Sequence, residues 1–144
     1  MSTALDWAEQ TCRDQGRNLT PMRRRVLEIL LESHRALGAY DVLERLSAEG
    51  KGAQPPTAYR ALDFLVAIGA AHRIHRLNAF VACCRPADGH RPVFLICETC
   101  HRVDEAEGLA AQTALEEAAS ARGFAIDRTT LEAAGECTEC RNAE

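Results

Sequence analysis

The sequence predicts an α+β fold in two parts, and three observations carry that reading. Apolar residues recur at helical spacing through the first half, as far as Gly69. The pattern then changes to two short extended pieces. After a turn-rich linker, two C-x-x-C pairs frame a second, smaller segment of mixed strand and helix. The predicted boundaries are 1–83 for the first domain, 84–92 for the linker and 93–144 for the second domain. A chain of 144 residues has room for two such small domains.

The first helix is marked by Leu5, Ala8 and Cys12 and closed by Gly16, which places Cys12 in the core. Thr20-Pro21 opens the second helix. A threonine oxygen can accept a free N–H of the first turn, and proline has no N–H to leave unpaired there. Its apolar stripe is Val26, Leu27, Leu30 and Leu31, with Arg23, Arg24 and Arg25 near its start. A third helix runs from about Ala39 to Glu49, burying Ala39, Val42, Leu43 and Leu46, and a Gly- and Pro-containing turn ends it.

The fourth helix starts around Pro56-Thr57 and stops at Gly69. Ala58, Leu62, Leu65 and Val66 lie on one side, Thr57, Arg60 and Asp63 lie opposite, and Tyr59 sits at the boundary. Phe64 also falls outward, and the sequence gives no reason for it. Ala71–His75 and Ala79–Cys83, separated by Arg76-Leu77-Asn78, read as a hairpin. Helices followed by a hairpin form the winged helix-turn-helix layout, in which the fourth helix enters the major groove and the hairpin flanks the backbone. A small helical bundle with an attached hairpin is the alternative that secondary structure alone leaves open. Beyond the linker come strands at Val93–Cys97 and near Val103–Ala106, a helix of about Leu109–Arg122, and a β-leaning segment, Ala125–Leu131. These make a small α/β domain.

Charge sharpens the division. The net charge of −4 argues by itself against a nucleic-acid binder, but its distribution does not. Residues 1–84 hold 11 Arg and Lys against 9 Asp and Glu, whereas residues 85–144 hold 6 against 12. The first part can face phosphates while the acidic second part is kept away from them. The N-terminus has neither a basic start nor a long apolar stretch, and the longest strongly apolar run, Val93 to Cys97, is too short for a bilayer. The expectation is a soluble, cytoplasmic protein without membrane association.

The seven cysteines are an odd number, a poor basis for a disulfide framework. Cys97-x2-Cys100 and Cys137-x2-Cys140, with 36 residues between the pairs, point to metal instead. Zinc takes four soft ligands in a tetrahedron, and each C-x-x-C turn places two thiolates on one ion, giving a closed structural site. A redox C-x-x-C or unrelated thiols is the plainer reading. A second constellation is His72, Cys83, His90 and Glu105, each of which has an ordinary alternative: wing surface, small buried hydrophobe, linker and exposed acid. Its interest is location, since His72 belongs to the first domain, Cys83 and His90 flank the linker, and Glu105 belongs to the second domain. Cys84 faces away from Cys83 in an extended strand and reads as a spare thiol. His34, His75 and His101 read as solvated, with orientation of the zinc turn an alternative for His101.

The chain resembles the ferric uptake regulator family, and its zinc-sensing branch in particular. The stretches that carry this are Leu19-Thr-Pro21-x-Arg23 with Val26-Leu27, Ala39-Tyr-Asp-Val-Leu43, and Pro56-Thr-Ala-Tyr-Arg-Ala-Leu-Asp-Phe-Leu65. Gly69, His72-Arg-Ile74, Phe94-Leu-Ile-Cys-x-x-Cys100 and Cys137-x-x-Cys140 complete it. The resemblance implies a winged helix, a hinge, and an α/β domain that dimerises. It implies DNA contacts at Tyr40, Tyr59 and Arg60, to which Thr57, Arg23 and Arg24 are added from their position. It implies a zinc-sensing set at His72, Cys83, His90 and Glu105, so that each chain takes two zinc ions, one structural on the four cysteines and one regulatory.

The expected function is therefore a zinc-responsive repressor of zinc uptake genes, binding palindromic double-stranded operator DNA as a homodimer, with one or two dimers per operator. Iron-, manganese- or peroxide-sensing members are the rival reading. Iron-sensing relatives carry a His-His-x-His cluster before the C-x-x-C, and this chain has only His90 there. A zinc hydrolase would need an open coordination position, which four protein ligands do not leave. The chain is not expected to be an enzyme.

Overall fold

The computed structural model describes residues 2–33, 35–83 and 92–143. Packing divides the chain into two compact units, Met1–Ala87 and Asp88–Glu144. The first unit contains α1 (Ser2–Asp14), α2 (Pro21–Leu31), α3 (Ala39–Ala48), α4 (Pro55–Ala67), β1 (Ala71–Ile74) and β2 (Ala79–Ala82). The second contains β3 (Pro92–Cys97), β4 (Val103–Glu107), α5 (Leu109–Ala121), β5 (Leu131–Gly135) and α6 (Thr138–Arg141).

Local chemistry sets the helix ends of the first unit. Thr20 caps α2 by accepting the Arg23 N–H at 3.3 Å, with Pro21 in the first turn. At the start of α3 the Asp41 carboxylate accepts the Gly38 N–H at 2.9 Å. The end of α4 depends on Gly69, whose φ of 87° lies in the left-handed region that a Cβ disfavours. That conformation lets the Gly69 and Ala70 N–H groups reach the carbonyls of Val66 and Leu65 at 3.0 and 2.9 Å. The Trp7 ring lies 3.5 Å from where a Cβ would stand, so α1 packs against this corner.

The core joins all four helices to the hairpin. Cys12, Leu27, Leu30, Leu46, Leu62 and Leu65 are fully buried, and Phe80 of β2 enters the same cluster. α3 buries Ala39, Val42, Leu43 and Leu46, as its periodicity requires. On α2 the buried set includes Ile29 while Leu31 is half-buried; on α4 it includes Ala61 while Val66 is half-buried. In both helices the apolar stripe is wider than the expected set, and Leu31 and Val66 pack against the edge of the same core. Phe80 also exchanges main-chain hydrogen bonds with Leu37 at 2.9 and 2.8 Å. The segment before α3 is thus bridged to the two-stranded hairpin through Leu37, which the sequence does not announce.

In the second unit the sheet order is β4-β3-β5, with β3 antiparallel to β4 and parallel to β5. The third strand is Leu131–Gly135 rather than the expected Ala125–Leu131. Ile126, Thr129 and Thr130 have the stronger intrinsic β preference, but the main-chain ladder with β3 forms on Leu131–Gly135 and tertiary pairing overrides propensity. The short helix α6 was likewise not expected.

Ion pairs bind α2 to α3. Arg25 donates to Glu49 through Nε at 2.7 Å and Nη2 at 2.5 Å, and through Nη1 to Glu28 and Glu32 at 3.2 Å each. Arg45 engages Glu32 as well. Arg45 foremost, then Arg25, holds the Glu32 carboxyl below its ordinary range, and Arg25 does the same to Glu49. Carboxylates depressed in this way contribute stability above their unfolded value and lose it as pH falls. The urea midpoint should therefore fall as pH drops below about 5. Arg25→Gln should lower the midpoint at neutral pH and flatten that acid decline; parallel pH curves for the two proteins would contradict the network's role.

Candidate metal centre and nucleic-acid interface

The parallel pairing of β3 with β5 decides where the cysteines meet. Cys97, the last residue of β3, is in register with Gly135, the last of β5, and both strands leave the sheet at the same end. The Glu98 N–H extends the ladder to the Gly135 carbonyl at 2.9 Å. Both C-x-x-C turns therefore emerge side by side. Cys97 Sγ lies 3.7 Å from Cys140 Sγ, Cys100 Sγ lies 3.8 Å from Cys137 Sγ, and all four sulfurs are within 4.8 Å of one another. A disulfide needs sulfurs about 2 Å apart. A tetrahedron of thiolates about 2.3 Å from a zinc ion places them about 3.8 Å apart. The donor set fits zinc and leaves no open position.

The surrounding backbone supports the same chemistry. In the first turn the Cys97 N–H donates to the Arg102 carbonyl and the His101 N–H to the Cys97 carbonyl, both at 2.9 Å. His101 takes a φ of 65° to close this turn and its side chain is exposed, so its contribution is conformational. The main-chain N–H groups of Cys137 and then Cys100 favour the Cys97 thiolate, lowering its pKa to about 6. The proton shared with Cys137 pushes Cys140 up to about 12. Four thiolates this close cannot all ionise without a cation between them, and a divalent soft cation is what relieves the conflict.

Of the second constellation, the first unit holds two members. His72 is half-buried on β1 opposite Val81. Cys83 is buried just after β2, and its N–H closes the hairpin base on the Ala70 carbonyl at 2.9 Å. A His72 ring nitrogen and Cys83 Sγ lie within 4.8 Å of each other. In the second unit Glu105 is half-buried on β4, opposite Phe94. His90, Cys84, His34 and nearly all of the 84–92 linker lie outside the described residues. Cys12 is a core residue, 2% exposed.

The candidate reading surface is α4 with the start of α3. Gln54 precedes the helix and two prolines fix its first turn. Arg60 is exposed and has no carboxylate partner among the described residues; Thr57 is half-exposed, and Tyr59 packs its ring against the core. Tyr40 is 68% exposed, unusual for a tyrosine in a helix whose apolar face is satisfied. The three consecutive arginines of α2 divide. Arg24 engages Glu9 and, at 3.9 Å, Glu28, and Arg25 is held as described, whereas Arg23 has no carboxylate partner among the described residues. Its guanidinium lies over the Phe64 ring, 3.8 Å from the centroid. Phe64, which the helical pattern left without a purpose, is thus a platform.

The model of the ferric uptake regulator family matches residues 14–134. The chain is 36% identical to the zinc uptake regulation protein of Escherichia coli (strain K12) over 143 residues, 97% of this chain and 82% of that protein. The chain belongs to the ferric uptake regulator family, in its zinc uptake regulator branch. Among solved structures of the family, it is similar to a zinc uptake regulator complexed with zinc and DNA. That match has 33% identity and a TM-score of 0.93, covering 99% of this chain and 95% of the other. It is similar also to holo XcZur, with 37% identity and a TM-score of 0.86 over 98% and 99% of the two chains.

The pairs that sequence reasoning missed in this family member are long-range. Glu9 and Arg24 are 15 residues apart and Arg25 and Glu49 are 24 apart, beyond any helical spacing rule. The four-cysteine assignment makes a direct prediction. Cys137→Ser should remove one tightly held zinc per chain and the hydrogen-exchange protection of residues 92–143, measured by metal analysis and mass spectrometry. Cys12→Ala should keep that zinc and cost only core stability. Full zinc content in the Cys137 variant would contradict the assignment.

Proposed function

We propose that this chain is a zinc-responsive transcriptional repressor of zinc uptake genes that binds palindromic operator DNA as a zinc-loaded homodimer. The observation that carries the reading is similarity along 99% of the chain to a zinc uptake regulator complexed with zinc and DNA. This chain's own chemistry supports it: a four-thiolate set spaced for zinc, and a helix that presents Arg60 without a counter-charge among the described residues. Among the described residues no helix is long and apolar enough to cross a membrane.

Each chain takes two zinc ions in this reading. Cys97, Cys100, Cys137 and Cys140 hold the first. His72, Cys83, His90 and Glu105 hold the second, and the proximity of His72 and Cys83 at the hairpin base supports two of those ligands. Two neutral imidazoles, one thiolate and one carboxylate balance a divalent cation, so the filled set carries no net charge and can exchange. Bound zinc supplies a cross-link of fixed geometry and no redox chemistry. By drawing ligands from the reading unit, the linker and β4, these residues couple zinc concentration to the population of the DNA-binding state. Four protein ligands leave no open position for catalysis, so the reading contains no enzymatic step.

Arg60 reads a purine edge in the major groove, while Tyr40, Thr57, Tyr59 and Arg23 contact backbone or methyl groups. Arg24 reaches a phosphate only by giving up Glu9. Homodimerisation through the second unit is supported by its thin core and by Leu95, Leu109, Leu115 and Phe124, exposed by 45, 58, 39 and 66%. One or two such dimers occupy an operator.

Two variants test this. Cys83→Ser should keep the dimer and one zinc per chain but lose zinc-dependent operator binding in gel shifts under buffered metal. Retention of that dependence, or a stronger response to ferrous iron or manganese than to zinc, would contradict the reading. Arg60→Ala should erase discrimination between operator and random duplex, about 1–3 kcal/mol per half-site. Selectivity surviving in that variant would mean that α4 does not read the sequence.

A further inference from the structure

Thr57, Arg60 and Phe64 stand at i, i+3 and i+7 on α4 and so share one stripe. An aromatic ring at the end of a stripe otherwise assigned to DNA is unexpected. The ring rests partly on the core and is half-buried. Over it lie two guanidiniums, Arg23 at 3.8 Å and Arg17 at 5.9 Å from the centroid. Arg23 Nη1 also donates to the Asn18 carbonyl at 2.7 Å, which fixes the plane of the group. Neither arginine has a carboxylate partner among the described residues, whereas Arg24, Arg25 and Arg45 are all neutralised by glutamates.

A guanidinium stacked on a ring keeps its edge N–H donors free and loses little entropy when a phosphate arrives. We propose that Phe64 is a positioning residue whose ring holds Arg17 and Arg23 as a two-pronged phosphate clamp on duplex DNA, beside the groove that Arg60 reads. The inference rests on the proposed function. The clamp supplies affinity without sequence information, because phosphates carry none.

The test uses the zinc-loaded full chain and a short random-sequence duplex, with affinity measured across a range of salt. Each phosphate that a protein neutralises adds about 0.9 to the slope of log K against log salt. Arg17→Gln combined with Arg23→Gln should therefore make that slope shallower by about 2 per chain bound. Phe64→Leu should reproduce more than half of that change, and Phe64→Tyr should restore the wild-type slope. Phe64→Leu added to the double arginine variant should change nothing further. A wild-type slope in Phe64→Leu, with the Trp7 emission of the folded protein retained, would overturn the clamp; so would a further decrease in the arginine background. If Phe64→Leu does not fold, the double arginine variant decides: a wild-type slope there overturns the proposal. Wild-type protein that shows no salt-dependent duplex binding would instead overturn the proposed function, before any variant is compared.

Discussion

Four sulfurs within 4.8 Å of one another are the constraint on which the second unit depends. Among the described residues its own apolar core is small, with Phe94, Ile96 and Cys97 the deepest side chains, so a link between the strand ends would add much to its stability. The parallel register of β3 and β5 brings the two turns together, and a divalent cation held among the thiolates would in turn lock that register. Without a cation the crowded thiols would keep protons that a bound ion displaces, and the cross-link between the two turns would be lost. Metal binding at these thiolates and folding of this unit are therefore expected to be coupled.

The first unit obeys a different constraint, the placement of its arginines. Some are used internally: Arg25 and Arg45 tie α2 to α3 through Glu28, Glu32 and Glu49, and Arg24 reaches back to α1. Others have no counter-charge among the described residues: Arg60 is exposed on α4, and Arg17 and Arg23 lie over the ring of Phe64 on that helix. A small net positive charge in the first unit thus conceals a division between neutralised and available cations. Composition alone cannot show this division, because both groups are the same residue type.

Much of the architecture was legible because local chemistry determines it. Thr20-Pro21 and Gly69 mark helix ends whatever surrounds them, the α3 periodicity names its four buried residues, and the two C-x-x-C pairs announce a metal site. What escaped depends on distant chain segments. β5 forms on Leu131–Gly135, a stretch of weak β preference, because β3 offers its edge there. The Leu37–Phe80 bridge, the exchange of Leu31 and Val66 for Ile29 and Ala61 as core residues, and the stacking of Arg23 on Phe64 are likewise set by tertiary neighbours. The ligand set of His72, Cys83, His90 and Glu105 came from family resemblance and not from spacing, since no short-range rule links residues so dispersed.

If zinc on that dispersed set favours the DNA-binding state, DNA must favour zinc by the same factor, because coupling between two bound ligands is reciprocal. The direct measurement is the affinity of the exchangeable zinc with and without operator duplex, in protein whose four-cysteine site is filled. The account predicts that operator tightens zinc by the factor by which zinc tightens operator. Zinc affinity that does not change when operator is added would contradict it.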